Sequence, residues 1–487
     1  MIIPQVDIHD KFSLEFKIGF VPDNKTEDIN EFKINMWLFV PNSLDINRST
    51  YKKDEFYRNI RNDIRLITPI YTLSQILQEG RGPLPRLQKA IDDLLKDSDN
   101  LKNVQNYIHQ IKMFSCIIKS TLRTEVVSMI REVDNERIVA RIQKFVGYIE
   151  AISSRYRNFY PILQNSSISK KQLEFFHFGD EFLGNIIEQH VFQVLRSLKG
   201  REIFQDVKPI LNILLNNEIQ YKKKMGFQVV VDGQEEHNKL VIIKRNILKK
   251  FVESDLYLQT VKKRDGAFAQ QIFYSIAAGI AMIFATIVTF IATQRYGNFT
   301  ADLFIVLVVS YMFKDRIKEI MRYFFTSHMS RKYFDNKRKL SINDREIGWI
   351  KDAFDFIPES KIPEEVLNLR NRSPLVDAEN EVYAEQIILY RKLVHLSRKD
   401  IEDYKQYHLV GINDIMRFNL LRFVQKMDNP IIPLYLPDEE DGYKQIKGYK
   451  EYPLYFILGC ESNKEIYYKK FRLLFNRNGI SDVNELD

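Results

Sequence analysis

Residues 272–292 read IFYSIAAGIAMIFATIVTFIA, and the chain carries no charged side chain between Asp265 and Arg295. A helix of roughly 20 apolar residues, rising about 1.5 Å per residue, is long enough to cross the ~30 Å hydrocarbon core of a bilayer. A helix is favoured there because its backbone groups hydrogen-bond to one another without water. This stretch therefore predicts a transmembrane helix in the middle of a chain of 487 residues.

A second apolar segment follows after a short loop. Residues 303–313 read LFIVLVVSYMF, which approaches the lower length limit of a span when the preceding residues are counted. Basic residues flank the two segments on their outer sides, whereas the loop contains Arg295 only. Because basic residues stay in the cytoplasm, we expect a two-helix transmembrane hairpin at 266–313 with both flanks inside the cell. The alternative is a buried helical hairpin in a soluble core.

Small residues recur along the first apolar segment. Ala277, Ala281 and Ala285 follow one another at a spacing of four, and Gly279 forms a second small pair with Ser275. Small side chains one turn apart allow another helix to approach closely within a membrane. We expect this face to pack against the second span, and the alternative is a seam between copies of the chain.

Basic residues follow the second apolar segment at helical spacing. Lys314, Lys318 and Arg322 fall on one face of a predicted helix. Such a face is suited to lipid headgroups, since each basic residue near an anionic leaflet contributes about 1 kcal/mol of binding. A charged face in contact with solvent is the alternative, because acidic residues intervene.

The remaining sequence predicts an α+β membrane protein. Alternating runs at 12–21 and 32–40 indicate a pair of strands, and long amphipathic stretches at 100–131, 135–160, 171–198 and 203–221 indicate helices. Runs at 227–231 and 239–244 indicate a further strand pair. We divide the chain into an N-terminal α+β segment (1–80), a long-helix bundle (81–226), a β-hairpin with a membrane-proximal helix (227–265), the transmembrane hairpin (266–313), a juxtamembrane basic helix and linker (314–378), and a cytoplasmic antiparallel β-meander (379–487).

Composition and motifs argue against several classes of site. The mean hydropathy is −0.29 and the net charge +8, which is typical of a largely water-exposed protein with a membrane anchor. Cys116 and Cys460 provide no disulfide framework. No phosphate-binding, dinucleotide-binding, hydrolase or zinc-protease motif occurs, and Glu174 with His177 is a lone E-x-x-H pair. We therefore expect no cofactor, no metal and no local catalytic motif.

The C-terminal segment combines basic and aromatic residues. Arg417, Arg422, Lys447 and Lys450 occur among tyrosines, and cations beside stacking rings are suited to single-stranded nucleic acid. A membrane-tethered nucleic-acid-binding module is therefore an alternative function. Against it, Arg417 and Arg422 are separated by an odd number of residues, which points them to opposite faces of a strand.

These observations together predict where the protein acts. We expect an integral membrane anchor, sensor or effector, set in a bacterial inner membrane with both termini in the cytoplasm. The lipid bilayer is the expected partner, together with an unknown protein or further copies bound through the transmembrane helices. We expect a non-enzymatic role, and the remaining alternative is an enzyme whose site is assembled from residues distant in sequence.

Overall fold

The computed structural model describes the chain except residues 23–27, 298–299, 343–344, 383, 403–406, 408, 440, 463–464 and 487, and except the side chains of 326–332, 379, 381–382 and 402. The fold is α+β with an antiparallel sheet at its C-terminal end, as the sequence predicts. The chain forms two compact units. Unit 1 comprises residues 1–65, 258–404 and 410–487, and unit 2 comprises 66–257 and 405–409.

The strands are, in chain order, β1 Ile2–Asp10, β2 Ser13–Phe20, β3 Ile29–Val40, β4 Ile60–Leu66, β5 Gln259–Arg264, β6 Asn336–Ile342, β7 Arg345–Ile357, β8 Gln386–Ser397, β9 Ile412–Asn419, β10 Ile431–Asp438, β11 Gly442–Tyr449, β12 Tyr452–Ser462, β13 Glu465–Asn476 and β14 Gly479–Leu486. The helices are α1 Lys53–Asn59, α2 Leu73–Leu77, α3 Pro83–Lys96, α4 Leu101–Arg131, α5 Asn135–Arg157, α6 Phe159–Gln164, α7 Lys170–Leu198, α8 Phe204–Lys224, α9 Glu235–Glu253, α10 Ala267–Tyr296, α11 Ala301–Lys332, α12 Glu364–Arg370, α13 Pro374–Val382, α14 Arg398–Glu402 and α15 Leu421–Val424.

Unit 1 is built on two sheets that face each other. The larger sheet has the strand order β14-β13-β12-β3-β8-β7-β6-β5, with antiparallel neighbours, and the smaller has the order β1-β2-β9-β4. Aromatic rings from both sheets meet between them, since Phe16 contacts Phe456 and Phe20 contacts Phe32, each pair at 5.5 Å between ring centroids. Side chains alternate between the two faces of a strand, so every second residue of the central strands enters this core.

The N-terminal and C-terminal strands belong to the same sheets. The strands predicted at 12–21 and 32–40 are present as β2 and β3, but they do not pair with each other. β2 lies between β1 and β9, and β3 lies between β12 and β8. The structure thus joins residues that the sequence analysis placed in separate segments, because alternation identifies a strand without identifying its neighbour.

Unit 2 is a bundle of long helices, and α4, α5, α7 and α8 begin and end close to the predicted boundaries. Capping explains several of these limits. The Asn100 and Asp134 side chains accept hydrogen bonds from the first turns of α4 and α5, and Ser169 forms a capping box with Gln172 at α7. Stacked rings of Phe114, Tyr156 and Phe176 fill the centre of the bundle.

The strand pair predicted at 227–231 and 239–244 is wrong. No strand forms at 227–231, and 239–244 lies within the helix α9. The run KLVIIK is too short to separate a strand from a buried helix by its period. Its helical character comes from packing, since Val241, Leu248 and Val252 recur at helical spacing and are buried, whereas Ile242 and Ile243 remain exposed.

The two helices predicted from the apolar segments form one insertion in the larger sheet. α10 leaves β5 at the edge of the sheet, α11 returns to β6, and β5 and β6 are paired strands. The helices pack against each other in antiparallel orientation, with the Phe273 and Phe325 rings stacked at 5.0 Å near their attached ends. We refer to α10 and α11 as the helical hairpin.

Candidate membrane site

The helix α10 exposes its apolar residues instead of burying them. Among the described residues, α10 is the one helix that is long and apolar enough to cross a bilayer. Only 17% of its most apolar 18-residue stretch is buried. A core helix of a soluble protein would be mostly buried. Nine large side chains of α10 are at least 40% exposed, namely Phe268, Ile272, Ile276, Ile280, Met282, Ile283, Ile287, Phe290 and Ile291.

The small residues of α10 divide between two sides of the helix. Ala277 and Ala281 are fully buried, at 0% and 1% exposure, and Ala285 is half-buried along the same line. Gly279 is exposed, and a Cβ atom built on it would have no neighbour within 4 Å. The structure therefore places the alanines, and not Gly279, on the side that faces α11.

The basic residues of α11 lie beside that alanine face. Lys314, Lys318 and Arg322 are half-buried, and Ser310, on the same side of the helix, is buried. Arg322 lies 5.2 Å from the Tyr274 ring of α10, and the Lys314 amine lies 3.7 Å from the Tyr311 ring. Contact of these three cations with lipid headgroups stays a prediction.

The hairpin is attached to the sheet by two aspartates that the sequence analysis did not single out. Asp335 accepts hydrogen bonds from the Lys53 amine at 2.6 Å and from the Tyr57 hydroxyl at 2.9 Å. Asp265 forms an ion pair with Lys351 at 3.1 Å and accepts a hydrogen bond from the Phe334 amide. One end of the hairpin is therefore held by Lys351 of β7, and the other by Lys53 and Tyr57 of α1.

Gly266 makes the turn into α10 possible. It has φ of +66°, and a Cβ atom there would lie 2.8 Å from the Tyr333 ring, so a side chain would be both strained and obstructed.

A cavity of about 510 Å³ opens beside this turn, lined by residues that include Lys53, Arg264 and Asp335. Within the described residues no group of three or more His, Cys, Asp or Glu side chains could hold a metal ion.

Unit 1 also contains a buried ionic cluster between its sheets. The Lys392 amine on β8 pairs with Asp414 on β9, and Arg338 on β6 pairs with Asp352 on β7. Burial lowers the pKa of Lys392 although Asp414 opposes the shift. For Arg338 burial also acts to lower the pKa, but Asp352, Tyr390 and Asp414 together outweigh it and the pKa is raised.

The sequence carried a signal for this cluster. Lys392 lies between Tyr390 and Val394 on the buried face of β8, and Asp352 lies between Ile350 and Phe354 on the buried face of β7. A charged residue at an inward position of an alternating strand needs a buried partner. Its partner could not be read from the sequence, because β8 and β9 belong to different sheets.

Unit 2 uses its acidic residues as structural partners. Glu181 pairs with Lys244 at 2.8 Å, and Glu188 pairs with Lys222 at 3.0 Å and with Arg245 at 2.8 Å. Lys222 is completely buried, and burial lowers its pKa despite the carboxylate beside it. These acids lie on the same helix as His177, but their oxygens are occupied by cations.

The four basic residues proposed for nucleic acid lie on different elements. Arg417 on β9 pairs with Glu15 at 2.8 Å, Arg422 on α15 pairs with Glu55 at 3.0 Å, and Lys450 pairs with Asp428. Lys447 lies on β11 and is exposed. Three of the four charges therefore have acidic neighbours that compete with phosphate, and nucleic-acid binding stays a prediction without support from this arrangement.

Comparison with known proteins adds no relative to these observations. No family model matches the chain, and neither does any curated protein or any solved structure. The helical hairpin is thus the feature of the molecule from which a function can be inferred.

Proposed function

We propose that this protein is an integral membrane protein whose helical hairpin anchors two water-exposed units to a lipid bilayer. The observation that carries the proposal is the exposed apolar surface of α10. Complete burial of a large apolar side chain is worth about 1.5–3 kcal/mol, so the partial exposure of nine such side chains forgoes an amount comparable to the whole stability of a domain, about 5–15 kcal/mol. A bilayer removes that cost.

The attachment of the hairpin supports an orientation. α10 and α11 begin and end on paired strands, so both flanking parts of the chain emerge on one side of the bilayer. Lys262, Lys263 and Arg264 on β5 and Lys337 on β6 lie at this end, whereas Arg295 lies near the other. By the preference of basic residues for the cytoplasm, both termini are cytoplasmic, as at a bacterial inner membrane.

The described residues support binding or assembly more directly than catalysis. Asp414 and Asp352 in unit 1, Glu188 in unit 2 and Asp335 beside the hairpin each have a cation or a hydrogen-bond donor as a partner. The proposed role is an anchor, sensor or effector that acts through a partner protein or through assembly of its hairpins. Its soluble units would place that partner at the membrane surface.

Flotation of the full chain with liposomes tests the proposal. Ile283→Asp, at a 61% exposed position in the middle of α10, should lower the membrane-bound fraction, because a charge at the centre of a span costs roughly 2.5–3.5 kcal/mol. Ile70→Asp, at an 83% exposed position outside the hairpin, is the matched control and should float like the wild type. A wild-type chain that remains soluble in the presence of liposomes would contradict the proposal.

A further inference from the structure

The second half of α11 has one charged side and one apolar side. Asp315, Arg316 and Glu319 are exposed, and no ion pair joins them in the described part of the chain. Exposed apolar residues continue along the same stretch on another side of the helix, namely Phe313, Ile320 and Phe324. The stretch 313–324 is thus amphipathic, in contrast to α10, which is apolar all round.

The packing of the hairpin places the charged side of α11 level with the part of α10 that contains no charged residue. The Phe273–Phe325 and Tyr274–Arg322 contacts define the antiparallel register of α10 and α11. In this register, Asp315 and Glu319 of α11 lie level with residues 278–282 of α10. That stretch lies inside the segment of α10 that is long enough to cross a bilayer.

Hydrocarbon cannot solvate these charges, and α10 offers no partner for them. No acidic or basic residue occurs between Asp265 and Arg295. Ionisable residues inside membranes face one another or a water-filled cavity, where they mark ion pathways. The apolar side of 313–324 can meet lipid while the charged side meets water, but only when other hairpins close the space on that side.

We propose that several copies of the hairpin associate in the bilayer with Asp315, Arg316 and Glu319 facing a shared, water-filled path that conducts ions. The inference rests on the membrane insertion proposed above. Copies of the same chain are the natural occupants of the charged side, because each offers acids and bases to its neighbour. The three side chains that face the path carry two negative charges, on Asp315 and Glu319, and one positive charge, on Arg316, so the path should favour cations weakly.

Ion flux through reconstituted vesicles tests this inference. The full chain is reconstituted in vesicles of equal parts phosphatidylcholine and phosphatidylglycerol, and chloride and potassium permeation are compared. Asp315→Asn with Glu319→Gln should raise the chloride-to-potassium permeability ratio, and Arg316→Gln should lower it, each by roughly threefold. Lys444→Gln, at an exposed position of β11, removes a charge far from the hairpin in sequence and should leave the ratio unchanged.

Flotation of each variant separates the two proposals. Wild-type protein that floats with the vesicles but produces no flux would overturn the conducting path and leave the membrane anchor standing. Flux with an unchanged permeability ratio in both the acidic double variant and Arg316→Gln would show that these side chains do not line the path. Protein that does not float would overturn both proposals.

Discussion

At the scale of single residues, the charges buried in unit 1 and unit 2 act as pairs. Lys392 and Asp414 are 2% and 0% exposed, and each is the other's ion-pair partner. Removing one member of a buried pair leaves an uncompensated charge, whereas replacing both with apolar residues of similar volume can be nearly neutral. The pair therefore contributes to choosing which strands face each other more than to net stability.

Lys392→Met should lower the free energy of unfolding of unit 1 by about 3–5 kcal/mol, since Asp414 would remain buried without its cation. Urea unfolding followed by tryptophan fluorescence measures this, because both tryptophans, Trp37 and Trp349, lie on strands of unit 1. Adding Asp414→Leu to the same chain should restore most of the loss. A double variant less stable than the single variant would show that the pair is not the cause.

His190 in α7 should make unit 2 sensitive to acid. Burial lowers its pKa below the ordinary 6.5, with the nearby cations Lys119 and Arg123 acting in the same direction and the Ile186 carbonyl opposing. Below pH 6.5 the unfolded chain therefore takes up a proton that the folded chain does not, so the free energy of unfolding falls as the pH falls towards the lowered pKa.

Thermal unfolding followed by circular dichroism, at neutral pH and at about pH 5, tests this expectation. His190→Gln should lose less stability on acidification than the wild type, by about 1.4 kcal/mol for each unit by which the pKa is lowered. His9→Gln, at a partly exposed position of unit 1, is the control. Equal acid sensitivity of the wild type and His190→Gln would assign the effect to other groups.

At the scale of elements, α10 and α11 pack closely because the side chains between them are small. Ala281 is 1% exposed, so Ala281→Leu should separate the helices at a cost of about 1–3 kcal/mol. Gly279→Leu adds a larger group one helical half-turn away, where nothing lies within 4 Å, and should be tolerated. Protease cleavage within the hairpin of the detergent-solubilised chain measures the difference. Similar cleavage of both variants would mean that the alanine face does not hold the helices together.

The β10–β11 hairpin is an arm that contributes little to its unit. Every described residue of both strands is exposed except the half-buried Gly448, and the ends of the arm are joined by the hydrogen bond from the Lys450 amide to the Pro430 carbonyl. Replacing 431–449 by a short turn should change the free energy of unfolding of unit 1 by less than about 1 kcal/mol. Urea unfolding checks this, and a larger loss would show that the arm packs on the unit in solution.

At the scale of the whole molecule, the proposed membrane orientation rests on the position of the hairpin between two paired strands of one sheet. Reporter fusions after Asp487 and before Met1 should both report the cytoplasm, and a reporter inserted after Arg295 should report the opposite side if α11 returns through the bilayer. Because β5 and β6 are paired, opposite locations for the two termini would require the sheet to come apart. That result would contradict the orientation proposed here.

The sequence predicted more of unit 2 than of unit 1, for reasons visible in particular residues. The ends of α4 and α7 could be predicted because a helix depends on residues close in sequence: its apolar residues recur every three to four positions, and Asn100 and Ser169 cap the two N-termini. The neighbours of β2 and β3 were not readable, since their partners are far away in the chain. Of the candidate site, Ala277, Ala281 and the basic series Lys314, Lys318 and Arg322 could be named in advance. The anchoring pair Asp265 and Asp335 could not, because isolated aspartates carry no pattern.

The sequence by itself determined that an uncharged helix occupies the middle of the chain, because length and lack of charge depend on consecutive residues and need no partner. It also determined the α+β class through the change from alternating to helical periodicity. Only the tertiary structure decided that the flanks of that helix close into one sheet, and that Lys392 of this sheet meets Asp414 of the smaller sheet. Only the packing of α10 on α11 decided that Asp315 and Glu319 lie level with an uncharged helix. The physical reason is the same in each case, since the energy of a buried or membrane-embedded charge depends on what surrounds it in space, and those surroundings come from segments distant in the chain.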